Sequence, residues 1–177
     1  MEEKMLYDLD IKELSEGNVT KCEFVKASRI KLDANKVFSE FVEINAEFGN
    51  LQDENIYLYA ENNKSSEIYK GLEWNDTIAG KKYRLQQIHQ IVYNLRVVTI
   101  TASDNNDKPV TYKVNFQPYT HLSNAKGYSS TFRIVSNEDT YEQLKKDAYK
   151  DLLYWQQKYI SIIELKDIFD AIDRLQI

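Results

Sequence analysis

The spacing of apolar residues changes from three or four to two near residue 96, and this change constrains the fold more than any other feature. Before it, one face of a predicted helix over 76–95 carries five apolar residues: Ile78, Leu85, Ile88, Val92 and Leu95. After it come a β-branched run at 96–101 and an alternating run at 110–116, separated by turn-forming residues. The sequence therefore predicts a helix that leads directly into a β-hairpin with a long loop.

Two more helices are predicted upstream of this unit. Asp33 is a good N-cap and Gly49 suits the C-terminal position where a positive φ is needed. The segment between them has apolar residues at helical spacing: Val37, Phe38, Phe41, Ile44 and Phe48. A shorter helix is expected over 53–60, and the patchy alternation at 19–25 is compatible with a strand.

The C-terminal third has the longest helical pattern. Ser136 and Asp139 have the spacing of a capping box, and apolar residues then recur at steps of three and four as far as Leu175. One helix of roughly 35 residues is long for a globular domain, so a break is expected near 160–163. A further strand is predicted at 128–135.

These elements predict an α+β fold. We expect N-terminal helices, a small antiparallel sheet of about three strands, and a long C-terminal helix or helical hairpin packed across it. Residues 1–177 are assigned to one domain, with a helical lobe at 1–95 and a second lobe at 96–177 as the alternative division.

The chain lacks the common sequence signatures of catalysis and metal binding. Its five glycines form no phosphate-binding motif, and Cys22 has no second cysteine with which to form a disulfide or a zinc ligand pair. His89 and His121 have no partner at metal-ligand spacing, so both are expected to be structural. We predict a non-enzymatic protein without cofactor or metal. The absence of a signal-peptide pattern and of an apolar run long enough to span a membrane favours the cytoplasm.

Charge is distributed unevenly along the chain. The net charge is −5, yet residues 74–135 contain eight Lys or Arg and only three Asp or Glu. A basic middle between acidic flanks favours nucleic acid as the partner, although a mixed solvated surface is the alternative. The basic side chains expected to contact nucleic acid are Lys81, Lys82, Arg84, Lys113, Lys126 and Arg133.

Two modes of nucleic-acid binding are compatible with this region. Three helices followed by a two-strand ribbon have the order of a winged helix, in which the third helix enters the major groove and the ribbon contacts phosphate. Alternatively, aromatic side chains expected on the sheet would stack on bases, although such residues usually belong to a core: Tyr112, Phe116, Tyr119, Tyr128 and Phe132.

A role in protein–protein interaction is the main alternative function. The protein would then be a virion or assembly component, or an inhibitor of a host protein. The apolar stripe of the C-terminal helix predicts a homo-oligomer if that helix extends from the body.

Segment 66–92 has a pattern of residues at fixed spacing. The first half of this pattern consists of Ser66, Ile68, Leu72, Glu73, Trp74 and Asp76. The second half consists of Ala79, Tyr83, Arg84, Leu85, Gln87, Ile91 and Val92. The pattern resembles that of a family of uncharacterised phage and prophage proteins. The chain departs from the pattern at Glu67, Tyr69 and His89, where the family has Pro, His and Arg. The resemblance implies a phage or mobile-element origin and no particular activity.

The same segment also has a physical interpretation. Glu73 and Asp76 are expected near the N-terminus of the third helix, where the helix dipole favours carboxylates, and Asn75 or Asp76 would cap that helix. Trp74 would fold over its first turn. Arg84 would then present its charge to an acidic group elsewhere in the fold or, together with Lys81 and Lys82, to solvent.

Overall fold

A computed structural model describes residues 14–103 and 108–175 of the chain, and these residues form an α+β fold. The strands, in chain order, are β1 Val19–Phe24, β2 Leu95–Ser103, β3 Pro109–Phe116, β4 Tyr119–Thr120 and β5 Ser129–Ser130. The helices are α1 Ala34–Phe48, α2 Asp53–Asn62, α3 Glu67–Lys70, α4 Lys81–Asn94, α5 Thr131–Ser136, α6 Glu138–Tyr159 and α7 Lys166–Asp173.

The main sheet has three antiparallel strands in the order β1-β2-β3. Helix α4 passes into β2 without a loop, and β2 pairs with β3 so that Ile100 lies opposite Tyr112. The predicted helix–hairpin unit is therefore confirmed. The turn-forming residues predicted at 103–109 fall mostly on 104–107, outside the described residues.

Helix α1 packs against the sheet and forms the centre of the core. The Asp33 carboxylate accepts hydrogen bonds from the amides of Asn35 and Lys36, at 3.0 and 3.2 Å, and Gly49 ends the helix with a φ of 74°. Both predicted ends are confirmed. The apolar side of α1 joins a core built from the sheet and from α2 and α4, to which α1 contributes Val37, Phe38, Phe41 and Ile44.

The predicted start of the third helix is wrong. Helix α4 begins at Lys81 with Gly80 as its N-cap, and residues 75–79 form a turn. The Asn75 side chain accepts a hydrogen bond from the Thr77 amide at 3.0 Å, so it stabilises a local turn instead of capping a helix. Ile78 consequently lies outside the apolar stripe and is 71% exposed.

The predicted strand at 128–135 is also wrong. Only Ser129 and Ser130 pair with a strand, and Thr131–Ser136 is helical. The Thr131 hydroxyl donates to the Gln117 carbonyl at 2.6 Å at the start of this helix. A short apolar run does not distinguish a strand from a buried helix. The third strand of the main sheet is β1, from the segment predicted at 19–25.

The C-terminal helices form the hairpin that was one of the two predicted arrangements. Asn137 caps α6, because its side chain accepts a hydrogen bond from the Thr140 amide at 3.1 Å. Helix α6 ends at Tyr159, and α7 returns against it with the rings of Trp155 and Phe169 5.8 Å apart. None of the 22 residues of α6, all within the described part of the chain, is buried. No helix among the described residues is both long and apolar enough to cross a membrane.

The hydroxyl of Tyr119 is buried without a hydrogen-bond partner among the described residues. Its ring packs edge-on against Phe41, 5.7 Å between centroids, and burial raises the pKa of the phenol. We expect Tyr119→Phe to leave the melting temperature unchanged or to raise it by about 2–4 °C, because an unpaired polar group is removed and the packing is kept. Thermal unfolding followed by circular dichroism checks this, and a lower melting temperature would show that the hydroxyl has a partner.

Candidate nucleic-acid interface

Helix α4 has one apolar side and one polar side. Ile88, Ile91 and Val92 are buried against the core, and the helix contains no Asp or Glu. The opposite side is exposed, and we define the outer face of α4 by six exposed residues: Lys82, Tyr83, Gln86, His89, Gln90 and Tyr93. Lys81 is exposed but lies beside this face, with its Nζ atom 5.0 Å from the centre of the Tyr57 ring.

Arg84 was predicted on the exposed basic edge, and this expectation is wrong. The residue is only 6% exposed, and its Nη1 atom donates hydrogen bonds to the carbonyls of Glu73 and Ala79 at 3.1 and 2.8 Å. Its Nη2 atom pairs with the Asp76 carboxylate at 2.8 Å, which raises the pKa of the guanidinium above its ordinary value. Arg84 therefore holds the segment before α4 and does not reach a ligand.

Trp74 completes the joint between residues 73–79 and helix α4. Its indole Nε1–H donates to the Tyr69 carbonyl at 2.8 Å, and its ring stacks on the Tyr69 ring at 4.6 Å between centroids. The Arg84 guanidinium lies 5.2 Å from the indole ring. The Glu73 amide donates to the Gln87 side chain at 3.0 Å, which attaches the same segment to α4 once more. These contacts of residues 73–79 fix the position of α4 and leave its outer face exposed.

Both histidines of the chain lie beside Tyr128, and no motif or spacing in the sequence predicts this cluster. Nδ1 of His89 is 2.7 Å from the Tyr128 hydroxyl, and the His121 ring meets the Tyr128 ring edge-on at 6.4 Å between centroids. Burial, and then the carboxylate of Asp53, raises the pKa of Tyr128. His89 is 39 residues from Tyr128 in the sequence, and Tyr128 also pairs with Leu51, just before α2.

A cleft of about 600 Å³ runs beside the outer face of α4. Its polar lining residues are Asp53, Lys82, Gln86, Gln87, His89 and Gln90. Burial raises the pKa of the Asp53 carboxyl, whereas the Tyr128 hydroxyl and His89 act in the opposite direction. One oxygen of this carboxylate is buried without a hydrogen-bond partner among the described residues. The cleft therefore combines hydrogen-bond donors and acceptors with a single carboxylate.

The other predicted contact residues are divided between two places. Lys126 and Arg133 line a second depression, of about 270 Å³, together with Tyr128. Nε of Arg133 lies 3.8 Å from a Glu16 carboxylate oxygen, so part of its charge is already neutralised. Lys113 lies on β3 opposite Thr99 and lines neither depression. Tyr128 therefore contacts both regions: it is bonded to His89 of the outer face of α4, and it lines the same depression as Lys126.

The aromatic residues predicted on the sheet are core residues and not a stacking surface. Tyr112, Tyr119 and Phe132 are buried, and Phe116 packs edge-on against Phe132 at 5.6 Å between centroids. The core alternative is therefore confirmed for these residues. Tyr128 is half-buried and bonded to His89.

The described residues contain no group of three or more His, Cys, Asp or Glu placed to hold a metal ion. Cys22 is 3% exposed, and burial raises the pKa of its thiol to about 12. Because the thiolate is the reactive form, this side chain is an unreactive part of the core.

Gly127 sets the position of Tyr128 and Lys126. Its φ is 74°, and a Cβ atom there would lie 2.5 Å from Gln52 Cγ and 2.8 Å from the Leu51 carbonyl oxygen. We expect Gly127→Ala to lower the melting temperature by roughly 4–8 °C, because it strains the backbone and separates Tyr128 from Leu51. Thermal unfolding checks this. The matched control is Gly80→Ala, where an added Cβ meets no atom within 4 Å; an equal loss in both variants would contradict the prediction.

Comparison of the chain with protein-family models, with curated proteins and with solved structures gives no match. The resemblance of segment 66–92 to phage proteins therefore stays a prediction. A function for this chain has to be inferred from the geometry of the α4 surface.

Proposed function

We propose that this protein binds nucleic acid, without catalysis, through the outer face of α4 and the neighbouring Lys126. The observation that carries this proposal is the composition of α4: in a chain with 28 Asp and Glu, its 14 residues include none. The resemblance of segment 66–92 to phage proteins favours a phage or mobile-element origin for this role.

The chemistry of the outer face suits the phosphate backbone and base edges. Lys82 offers a positive charge to phosphate, and such contacts supply most of the sequence-independent affinity for nucleic acid. Gln86 and Gln90 each present both a donor and an acceptor, as recognition of base edges requires. The overall charge of −5 does not prevent binding of nucleic acid to this face, because a ligand responds first to the charges of the surface that it meets.

Lys126 extends the surface beyond the helix. Its backbone precedes Gly127 and Tyr128, and Tyr128 is bonded to His89 of the outer face. Lys82 and Lys126 are therefore the two cations we expect to contact phosphate. Lys113 and Arg133 are expected to contribute less, because Lys113 lies on the sheet and Arg133 is close to Glu16.

Charge-reversal variants test this proposal. We expect Lys82→Glu and Lys126→Glu each to weaken binding of a fluorescein-labelled 20-mer oligonucleotide about 5- to 10-fold at 50 mM salt. Lys146→Glu is the matched control, because Lys146 is an exposed lysine of α6 and the change in charge is the same. Fluorescence anisotropy gives the dissociation constants. The proposal fails if the wild-type protein does not bind, or if the control loses as much affinity as the two test variants.

A second candidate function, in assembly with other protein chains, is favoured by the C-terminal hairpin. Helix α6 buries no residue, and large apolar side chains at the turn of the hairpin are exposed, with Ile160 and Ile163 at 69% and 80%. Exposed apolar clusters of this kind mark protein interfaces. Size-exclusion chromatography with light scattering tests self-association. We expect a mass of at least two chains, reduced to one chain by Ile160→Lys with Ile163→Lys, and a wild-type monomer would count against a homo-oligomer.

A further inference from the structure

The outer face of α4 exposes aromatic rings at both of its ends. Tyr83 and Tyr93 are 50% and 57% exposed, and both point away from the core to which their helix contributes Ile88 and Ile91. His89 lies one turn before Tyr93, and the two rings are nearly parallel, 20° apart in plane and 6.3 Å apart between centroids. The hydrogen bond between His89 and Tyr128 fixes one ring of this pair.

Two polar side chains lie between the two tyrosine rings on this side of the helix. Positions 83, 86, 90 and 93 follow the three- and four-residue steps that place side chains on one face. Ten residues separate the two tyrosines, which corresponds to ~15 Å along the helix axis. Between them lie Gln86 and Gln90, with His89 beside them. An extended strand crossing this face would meet a ring, then amide groups, then a second ring.

We infer that the ligand of this face is single-stranded nucleic acid, an inference that rests on the proposed function. Unpaired bases would stack on Tyr83 and on the His89–Tyr93 pair. Such stacking requires the flat face of a base, and in a duplex that face is covered by the neighbouring base pairs. Lys82 and Lys126 would contact the phosphates of the same strand.

The cleft beside the helix suits the edges of these bases. Gln86 and Gln90 supply N–H donors, and the carboxylate of Asp53 can accept hydrogen bonds from the amino groups of bases. A carboxylate at this place also repels phosphate, so it favours an orientation in which bases point into the cleft and phosphates lie outside. Helix α4 itself adds no further carboxylate to this path.

The test compares one labelled 20-mer of mixed sequence, single-stranded, with the same sequence as a duplex. By fluorescence anisotropy at 100 mM salt, we expect the single strand to bind at least about 10-fold more tightly. Tyr83→Leu and Tyr93→Leu should each weaken single-strand binding about 5- to 50-fold and duplex binding less than about 2-fold. Tyr154→Leu is the matched control, because Tyr154 is a tyrosine of α6 that is 70% exposed.

The outcomes distinguish a failure of this inference from a failure of the proposed function. If the duplex binds as tightly as the single strand and Lys82→Glu weakens both, the protein binds nucleic acid without preferring single strands and the inference is wrong. If Tyr83→Leu and Tyr93→Leu bind the single strand as tightly as Tyr154→Leu does, stacking on α4 is excluded and the inference is wrong. If neither oligonucleotide binds, the proposed function fails together with the inference, and the protein-assembly role is the one left to pursue. Circular dichroism confirms that every variant is folded.

Discussion

Replacing Arg84 by methionine is expected to lower the melting temperature of this protein by about 10 °C. The guanidinium makes two hydrogen bonds to backbone carbonyls, at Glu73 and Ala79, and lies against the rings of Trp74 and Tyr57. Methionine fills a similar volume but leaves the buried Ala79 carbonyl and the part-buried Glu73 carbonyl without this donor. Thermal unfolding by circular dichroism at neutral pH measures the change.

The ion pair itself is expected to contribute little. The Asp76 side chain is 82% exposed, and exposed ion pairs contribute small stabilities because water and salt screen them. We therefore expect Asp76→Asn to lower the melting temperature by less than about 3 °C. If Asp76→Asn and Arg84→Met have equal effects, the buried hydrogen bonds are not what Arg84 contributes.

Replacing Trp74 by alanine is expected to destabilise the protein by about 3 kcal/mol, equivalent to about 9 °C in melting temperature. The substitution removes the ring that stacks on Tyr69 and that faces Arg84, together with the hydrogen bond to the Tyr69 carbonyl. Chemical denaturation with urea gives the free energy of unfolding.

Two further variants separate the contributions of Trp74. Trp74→Phe keeps an aromatic ring and loses the N–H donor, so a loss of about 1 kcal/mol is expected. The double variant of Trp74→Ala with Arg84→Met should lose less than the sum of the single losses, because the two side chains are in contact. Strict additivity would mean that the two residues stabilise the fold independently and that the joint described above does not act as a unit.

The elements that the sequence predicts correctly are those in which local signals agree. In α1, the cap at Asp33, the apolar spacing and Gly49 all indicate the same helix, and the structure confirms each of them. The hairpin of β2 and β3 is similarly marked by β-branched residues, turn formers and alternation. The prediction failed at 128–135 and at the start of α4, where Asn75 or Asp76 was expected to cap the helix. Asn75 instead bonds to Thr77 within a turn, and Thr131 bonds to Gln117 at the start of α5.

The candidate site was less accessible to sequence reasoning because it depends on contacts between distant segments. Arg84 has the charge of a ligand-binding residue, and only the path of residues 73–79 shows that it is buried. His89 contacts Tyr128 across 39 residues, and Tyr128 also pairs with Leu51; no local pattern indicates either contact. Lys82 and Lys126 were predicted by composition alone, and their exposure agrees with that prediction while their role stays a proposal.

Mapping of the binding surface by NMR tests the central claim most directly. Backbone amide signals of the ¹⁵N-labelled protein would be followed during titration with the single-stranded 20-mer. We predict the largest shift changes at residues 82–93 and 126–128, with little change in α6 and α7. Shift changes confined to residues 138–173, or no change at 82–93, would contradict the account.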